Sequence, residues 1–192
     1  MELKSKKQII TGFSLIGLFI ILDQITKKIA VLTLKEQPAI PIINEVFELK
    51  YLENTSAAFG LDPISLLHKI FQFEVFINNP QLYLDVRMGF FYVITLCVTA
   101  LLIYVYTKVP NHKRFRYIDA VLIFFIAGAF GNLIDRICNK YVIDFLYFKL
   151  INFPIFNVAD IYVTCAAFAM IALGLFYYKD EDIEAIFPSK KK

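Results

Sequence analysis

The sequence contains few charged residues for its length. Of its 192 residues, 19% are charged and 58% are hydrophobic, and the mean hydropathy is +0.61. An ordinary soluble domain carries more charge and a smaller apolar share. The shortage of charge therefore predicts a membrane protein. The net charge of +3 is also too small to indicate a nucleic-acid partner.

Cysteine and histidine are too sparse for a disulfide framework or a zinc site. The three cysteines are an odd number, and Cys97 and Cys165 lie inside apolar runs, as small core or lipid-facing residues do. His68 and His112 fall in different connections between apolar segments. The motifs G-x-S-x-G and H-E-x-x-H are missing, which excludes these two routes to hydrolysis. We expect neither a metal nor a cofactor.

Four apolar segments are long enough to cross a bilayer, which takes about 20 residues. The first follows Lys4, Lys6 and Lys7, as the apolar part of a signal peptide would, but no A-x-A-like cleavage site follows. We therefore expect it to be retained. The prediction is a single integral membrane domain, 1–192, with transmembrane helices at about 9–30, 88–107, 117–137 and 157–178.

Lysine and arginine are concentrated at one set of connections. The N-terminal tail, the connection 108–116 and the C-terminal tail hold eleven of the 20. The positive-inside rule then predicts that both termini are cytoplasmic. Four carboxylates would consequently lie near the outer face of the membrane, those of Asp23, Asp135, Asp144 and Asp160.

Ionisable residues at the edge of the hydrocarbon region are costly and mark functional sites by default. Asp23 and Lys27 are spaced i, i+4 and can meet on one helix face. Asn132, Asp135 and Arg136 also share a face. For both groups, an interpretation as structural ion pairs remains open.

We expect the ion-pair interpretation to fail for Asp144 and Asp160, since Asp160 has no basic residue three or four positions away and Asp144 has only Lys140, four positions before it. Asn157, one turn before Asp160, could instead cap a helix. Two carboxylates close together cannot both ionise, so one keeps a proton while the other can take one from water. Such a pair supplies a general acid and a general base, as in aspartic proteases, and needs no metal.

The long connection of residues 31–87 contains predictable elements. "EVFELKYLEN" alternates apolar and charged residues with the period of a strand, and "PAIPIIN" is the expected partner strand, turning at Asn44. Asp62 and Pro63 are the expected cap and start of an amphipathic interfacial helix that runs to Asn78. We place this β-cradle and helix at about 38–80. The segment could be an ordinary membrane-resting loop or a cover for substrate.

Five ordered pieces of the chain resemble the type II signal peptidases, also called lipoprotein signal peptidases. They are "DQITKK" from Asp23, "NTSAAFG" from Asn54, "GNLIDR" from Gly131, "VIDF" from Val142 and "FNVAD" from Phe156. Five pieces in order on a four-helix frame are specific. The resemblance implies an all-α membrane protein with four transmembrane helices, a small extracytoplasmic β-cradle and an interfacial amphipathic helix.

The resemblance also implies a site and a substrate. Asp144 and Asp160 match the family's catalytic dyad. Site-shaping or substrate-binding roles are implied for Asp23, Lys27, Asn54, Gly131, Asn132, Asp135, Arg136, Phe156 and Asn157. The substrate would be a diacylglyceryl-modified prolipoprotein, cut just before its lipidated cysteine. The expected enzyme is a monomer in contact with lipid, with its active site at the extracytoplasmic face of the bacterial plasma (inner) membrane.

The sequence departs from the family pattern at two places, and two other functions are alternatives to the prediction. Ser56 stands where the family commonly has glycine, and the stretch from Leu61 to Arg87 is longer than expected. An ion-relay subunit would need carboxylates that continue along the helices toward the other face, and within the predicted helices only Asp119 lies there. A non-catalytic assembly factor would keep the helices without needing both Asp144 and Asp160.

Overall fold

The computed structural model describes residues 2–55 and 63–187. Its helices and strands are α1 (Lys6–Leu34), β1 (Ile40–Ile43), β2 (Phe47–Asn54), α2 (Pro63–Phe71), α3 (Glu74–Asn78), α4 (Pro80–Lys108), α5 (Arg116–Asn139), β3 (Val142–Tyr147), α6 (Val158–Phe176) and α7 (Asp180–Ile186). Within the described ranges, four helices are long and apolar enough to cross a membrane: α1, α4, α5 with the turn before it, and α6. The prediction of four membrane helices is confirmed. However, α4 begins at Pro80 rather than near residue 88.

The three strands form one antiparallel sheet in the order β1-β2-β3. The predicted hairpin of β1 and β2 is present, and Glu45 in its turn has a φ of 57°. Lys149 braces this hairpin, with its ammonium 3.0 Å from Glu45 and 2.9 Å from Glu48. These two carboxylates raise the pKa of the Lys149 ammonium above its ordinary value, and Glu48 has the larger effect. The third strand, β3, was not predicted.

The expected amphipathic helix is divided in two. α2 ends at Phe71 and α3 begins at Glu74, because Gln72 has a φ of 45°, which no residue within an α-helix adopts. The prediction of one continuous helix to Asn78 was therefore wrong. Its expected cap, Asp62, lies outside the described residues, as does Ser56.

The described residues form two compact units, which we describe separately. The first comprises the residues up to Thr26, Val98–Gly131 and those from Val158 on, and the second comprises Lys27–Cys97 and Asn132–Asn157. In the first, Ile16, Phe115 and Leu122 belong to a buried apolar core. Gly128 allows α5 to approach α6 closely, since a Cβ there would lie 2.6 Å from the carbonyl oxygen of Ala159.

Ion pairs secure both ends of the chain within the first unit. The Lys4 ammonium lies 2.7 Å from Asp119. Burial lowers the pKa of Lys4, and the charge and hydrogen bond of Asp119 oppose that shift. At the other end, Nη2 of Arg114 donates to Asp182 in α7 at 2.7 Å. The guanidinium holds the pKa of the Asp182 carboxyl below its ordinary value.

Candidate active site

Asp144 lies on β3 with its side chain almost fully buried. Its Oδ1 accepts a hydrogen bond from Nδ2 of Asn157 at 2.6 Å, and its Oδ2 accepts one from Nδ2 of Asn54 at 2.7 Å. Asn54 reaches it because β2 and β3 pair side by side, with Asn54 opposite Val142 and Leu52 opposite Asp144. Two amide donors, one on each oxygen, fix the plane of the carboxylate.

The hydrogen bonds continue from Asn157 through the second unit. Oδ1 of Asn132 accepts from Nδ2 of Asn157 at 3.0 Å and from Nζ of Lys27 at 2.9 Å. The Lys27 ammonium also lies 3.0 Å from Oδ2 of Asp135. That oxygen accepts from the backbone N–H of Ile143 at 3.0 Å, so the chain of contacts returns to the residue before Asp144. We call Asn54, Asp144, Asn157, Asn132, Lys27 and Asp135 the polar network.

The polar network contains a buried ion pair. The side chains of Lys27 and Asp135 are only 1% and 2% exposed. Charges this deep are tolerated when they are paired and when hydrogen bonds satisfy their remaining atoms. Asn132 and the N–H of Ile143 provide those bonds, so the charges of Lys27 and Asp135 compensate each other, and Asn132 and Asn157 connect this pair to Asp144.

Phe156 fixes the chain immediately before Asn157. It pairs with Leu146 of β3 through backbone hydrogen bonds, its N–H donating at 3.0 Å and its carbonyl accepting at 2.8 Å. Its ring lies 5.8 Å from the rings of both Phe148 and Phe153. This backbone pairing holds the chain at Phe156 against β3, one residue before Asn157.

Arg136 lies at the end of α5 in the same unit. Its guanidinium carbon is 5.7 Å from the centre of the Phe91 ring, within range for a cation–π contact. Its carbonyl oxygen accepts from the hydroxyl of Tyr92 at 2.7 Å. These contacts attach the end of α5 to the first half of α4.

The remaining predicted residues belong to the first unit. Asp23 is fully buried, and its Oδ1 accepts from the backbone N–H of Ala159 at 2.9 Å. This contact places a carboxylate at the first turn of α6, where the helix dipole favours it. Asp160 lies in that same first turn. A Cβ at Gly131 would lie 2.6 Å from Oδ2 of Asp23, so glycine makes room for the carboxylate.

Sequence reasoning missed several partners in these contacts. The backbone N–H groups of Ile143 and Ala159 give no side-chain signal in a sequence. Gln24, whose Nε2 donates to Asp23 at 3.2 Å and to the carbonyl of Gly131 at 3.1 Å, lies inside the quoted piece "DQITKK" and could have been found there. Among the described residues, no group of three or more His, Cys, Asp or Glu is placed to hold a metal ion.

Comparisons with known proteins agree over most of the chain. The lipoprotein signal peptidase of Caldanaerobacter subterraneus subsp. tengcongensis is 35% identical over 163 residues, which cover 84% of this chain and 94% of that protein. The lipoprotein signal peptidase of Thermodesulfovibrio yellowstonii is 35% identical over 182 residues, covering 94% and 98%. A solved structure described as a bacterial membrane enzyme is 25% identical, with a TM-score of 0.68, and covers 93% of this chain and 99% of its own.

The family model described as signal peptidase (SPase) II matches residues 15–176. That range includes the polar network, Asp23, Gly131 and Asp160, together with α4, α5 and α6 and the part of α1 from residue 15 on. The match extends over far more than half of the chain, and this multi-pass bacterial membrane protein therefore belongs to the signal peptidase II family of proteases.

Proposed function

We propose that the chain removes signal peptides from diacylglyceryl-modified prolipoproteins by hydrolysing the peptide bond just before the lipidated cysteine. Its relatives are lipoprotein signal peptidases, which supports this substrate class. The main support for this proposal is the environment of Asp144, a buried carboxylate whose two oxygens each accept a hydrogen bond from an asparagine amide. A carboxylate oriented this way by two amide donors is suited to proton transfer.

Asp144 and Asp160 would divide the proton transfers. One carboxylate takes a proton from water as the water oxygen attacks the carbonyl carbon of the scissile bond, and the other gives its proton to the carbonyl oxygen. The carboxyl that took the water proton then gives it to the amide nitrogen, while the other carboxylate takes back a hydroxyl proton of the tetrahedral intermediate. The carbon–nitrogen bond breaks, which releases the amine of the lipidated cysteine and leaves a carboxyl group at the end of the signal peptide. Asp160 enters this proposal because it occupies the matching position in "FNVAD".

The other members of the polar network are positioning residues in this proposal. Asn54 and Asn157 set the orientation of Asp144. Asn132 holds Asn157, and the ion pair of Lys27 with Asp135 holds Asn132. Since a small misplacement of a catalytic group can cost about 100-fold in rate, variants at these positions should lose turnover more than substrate affinity.

Cleavage by purified protein in detergent tests the catalytic roles. Asp144→Asn and Asp160→Asn each keep the shape of the side chain but cannot exchange a proton, so each should abolish cleavage of a diacylglyceryl-modified prolipoprotein. Asp180→Asn, on the exposed surface of α7, is the matched control and should cleave normally. Substantial turnover by Asp144→Asn or Asp160→Asn would remove that residue from the mechanism. Mass spectrometry of the product should find lipidated cysteine at its new N-terminus.

The orientation in the membrane is part of the proposal. The lysines and arginines of the tails and of 108–116 support cytoplasmic termini and an extracytoplasmic site. A reporter fused after Asn111 should read cytoplasmic, and one fused after Asn79 should read external. The opposite pattern would place the site on the wrong side for exported substrates.

A further inference from the structure

An apolar groove runs along the first unit, between α5 and α6. Its volume is about 390 Å³. It is lined by Tyr117, Ala120, Val121, Phe124, Cys165, Ala166, Ala169, Ala172 and Leu173. Apart from the hydroxyl of Tyr117 and the thiol of Cys165, these side chains are hydrocarbon, and none of them belongs to the polar network.

The groove has the dimensions of one lipid tail. A cavity of about 150 Å³ accommodates benzene, so by simple proportion this volume suits a chain of roughly fifteen carbons. From Cys165 to Leu173 the groove follows α6 for about 12 Å, at a rise of about 1.5 Å per residue. One leaflet of the hydrocarbon core is about 15 Å deep. By contrast, a helix about 10 Å wide would fill roughly 900 Å³ over that length, too much for a second copy of the chain to insert.

The mouth of the groove carries aromatic and basic side chains. The rings of Tyr117 and Tyr177 pack edge to face, 5.4 Å apart. The guanidinium of Arg116 lies 5.4 Å from the Tyr117 ring, and that of Arg114 lies 5.2 Å from the Tyr177 ring. Tyrosine and arginine are the residues that meet lipid headgroups at a membrane surface. Arg114 is already paired with Asp182, whereas Arg116 is exposed and makes no ion pair with any residue in the described ranges.

We propose that this groove binds one acyl chain of an anionic phospholipid, with the lipid phosphate against Arg116. The apolar lining takes the tail, and the tyrosine pair sits at the depth of the ester groups. The guanidinium of Arg116 supplies the charge that selects an anionic headgroup. This site serves a resident lipid of the membrane and is separate from the residues assigned to peptide hydrolysis.

Native mass spectrometry of the purified full chain tests the proposal. Detergent-solubilised protein is mixed with phosphatidylglycerol or with phosphatidylcholine at equal concentration, and the retained lipid is counted. We expect one phosphatidylglycerol per chain and several-fold less phosphatidylcholine. Arg116→Gln should weaken phosphatidylglycerol retention roughly fivefold, as expected for one surface cation. Ala172→Phe, which fills the groove, should weaken retention of both lipids.

Two matched controls should retain lipid like the unmodified protein. Lys108→Gln removes another cation that stacks on a tyrosine, 5.4 Å from the Tyr104 ring. Gly174→Phe adds the same aromatic ring two residues beyond Ala172, at a position where a Cβ meets nothing within 4 Å. Equal retention of the two lipids, no retained lipid, or equal effects in the test and control variants would each overturn the proposal. A dimer that Ala172→Phe disrupts would assign the face to a second copy instead.

Discussion

Replacing Lys27 by methionine tests the ion pair at the centre of the polar network. Methionine keeps the length and apolar stem of lysine, but it leaves the Asp135 carboxylate buried without its cation, which was 3.0 Å away. Removing one partner of a buried pair costs about 3–5 kcal/mol. Because Asp135 keeps the N–H of Ile143 at 3.0 Å, we expect a loss near the lower end, about 3 kcal/mol of unfolding free energy.

The reciprocal substitution and the double variant complete a double-mutant cycle for this ion pair. Asp135→Asn keeps an acceptor for Ile143 but leaves the Lys27 ammonium buried without its counter-charge, so we expect a similar loss. The double variant has no buried charge at either position and should be more stable than either single variant. Lys35→Met is the control, because Lys35 pairs with Glu53 at 2.9 Å with both side chains about 40% exposed. It should cost far less than either buried variant, because solvent screens an exposed ion pair.

Unfolding in mixed micelles of increasing SDS fraction, followed by far-ultraviolet circular dichroism, gives the free energies. The reasoning is refuted if Lys27→Met falls within about 1 kcal/mol of the unmodified protein, or if the double variant loses the sum of the two single losses. A turnover assay under conditions where the variants stay folded adds a second readout. There, kcat should fall more than KM rises, since the ion pair positions Asp144 through Asn132 and Asn157.

Three further outcomes are expected. Gly131→Ala should cost about 1–3 kcal/mol and lower turnover, because its Cβ would meet the buried Asp23 carboxylate; thermal unfolding that matches the unmodified protein would contradict this. Arg114 lowers the pKa of Asp182 below its ordinary 3.8, so the ionised Asp182 stabilises the fold fully above pH 3.8, and this stabilisation is lost as the pH falls through the lowered pKa. The difference in melting temperature between the unmodified protein and Asp182→Asn should therefore become smaller on acidification. A difference that stays constant would contradict this expectation. Cleavage should survive EDTA, whereas a loss that zinc restores would make Asp144 and Asp160 metal ligands.

The sequence predicts the membrane frame and the hairpin, because both depend on local periodicity. A run such as Met88–Thr107 has no charge and can only be an apolar helix of membrane length. The alternation of apolar and charged residues in "EVFELKYLEN" likewise predicts a strand from neighbouring residues alone. The end of α2 before Gln72 was not predictable in this way. The apolar residues Leu66, Ile70, Phe73 and Ile77 keep their helical spacing across Gln72, and no glycine or proline marks the interruption.

The geometry of the site depends on distant partners and was predictable only in part. The i, i+4 spacing predicted a shared face for Asp23 and Lys27, but no local spacing could predict the ion pair of Lys27 with Asp135, more than 100 residues away. Asp144 lies among four consecutive buried residues of β3, so its strand shows no alternation that would set it apart from other apolar runs. Sequence motifs indicate which residues belong to the site, whereas only the folded structure shows which of them contact one another.

The hydrogen bond from Ala159 to Asp23 joins residues 136 positions apart, which has a consequence for synthesis. At about 5–20 residues per second, a ribosome needs roughly 7 to 27 s after making Asp23 before Ala159 exists. During that time α1 can already be inserted, but this buried contact cannot form until α6 arrives. The last membrane helix thus completes the environment of a carboxylate in the first. A chain that stops before α6 would lack this backbone donor to Asp23.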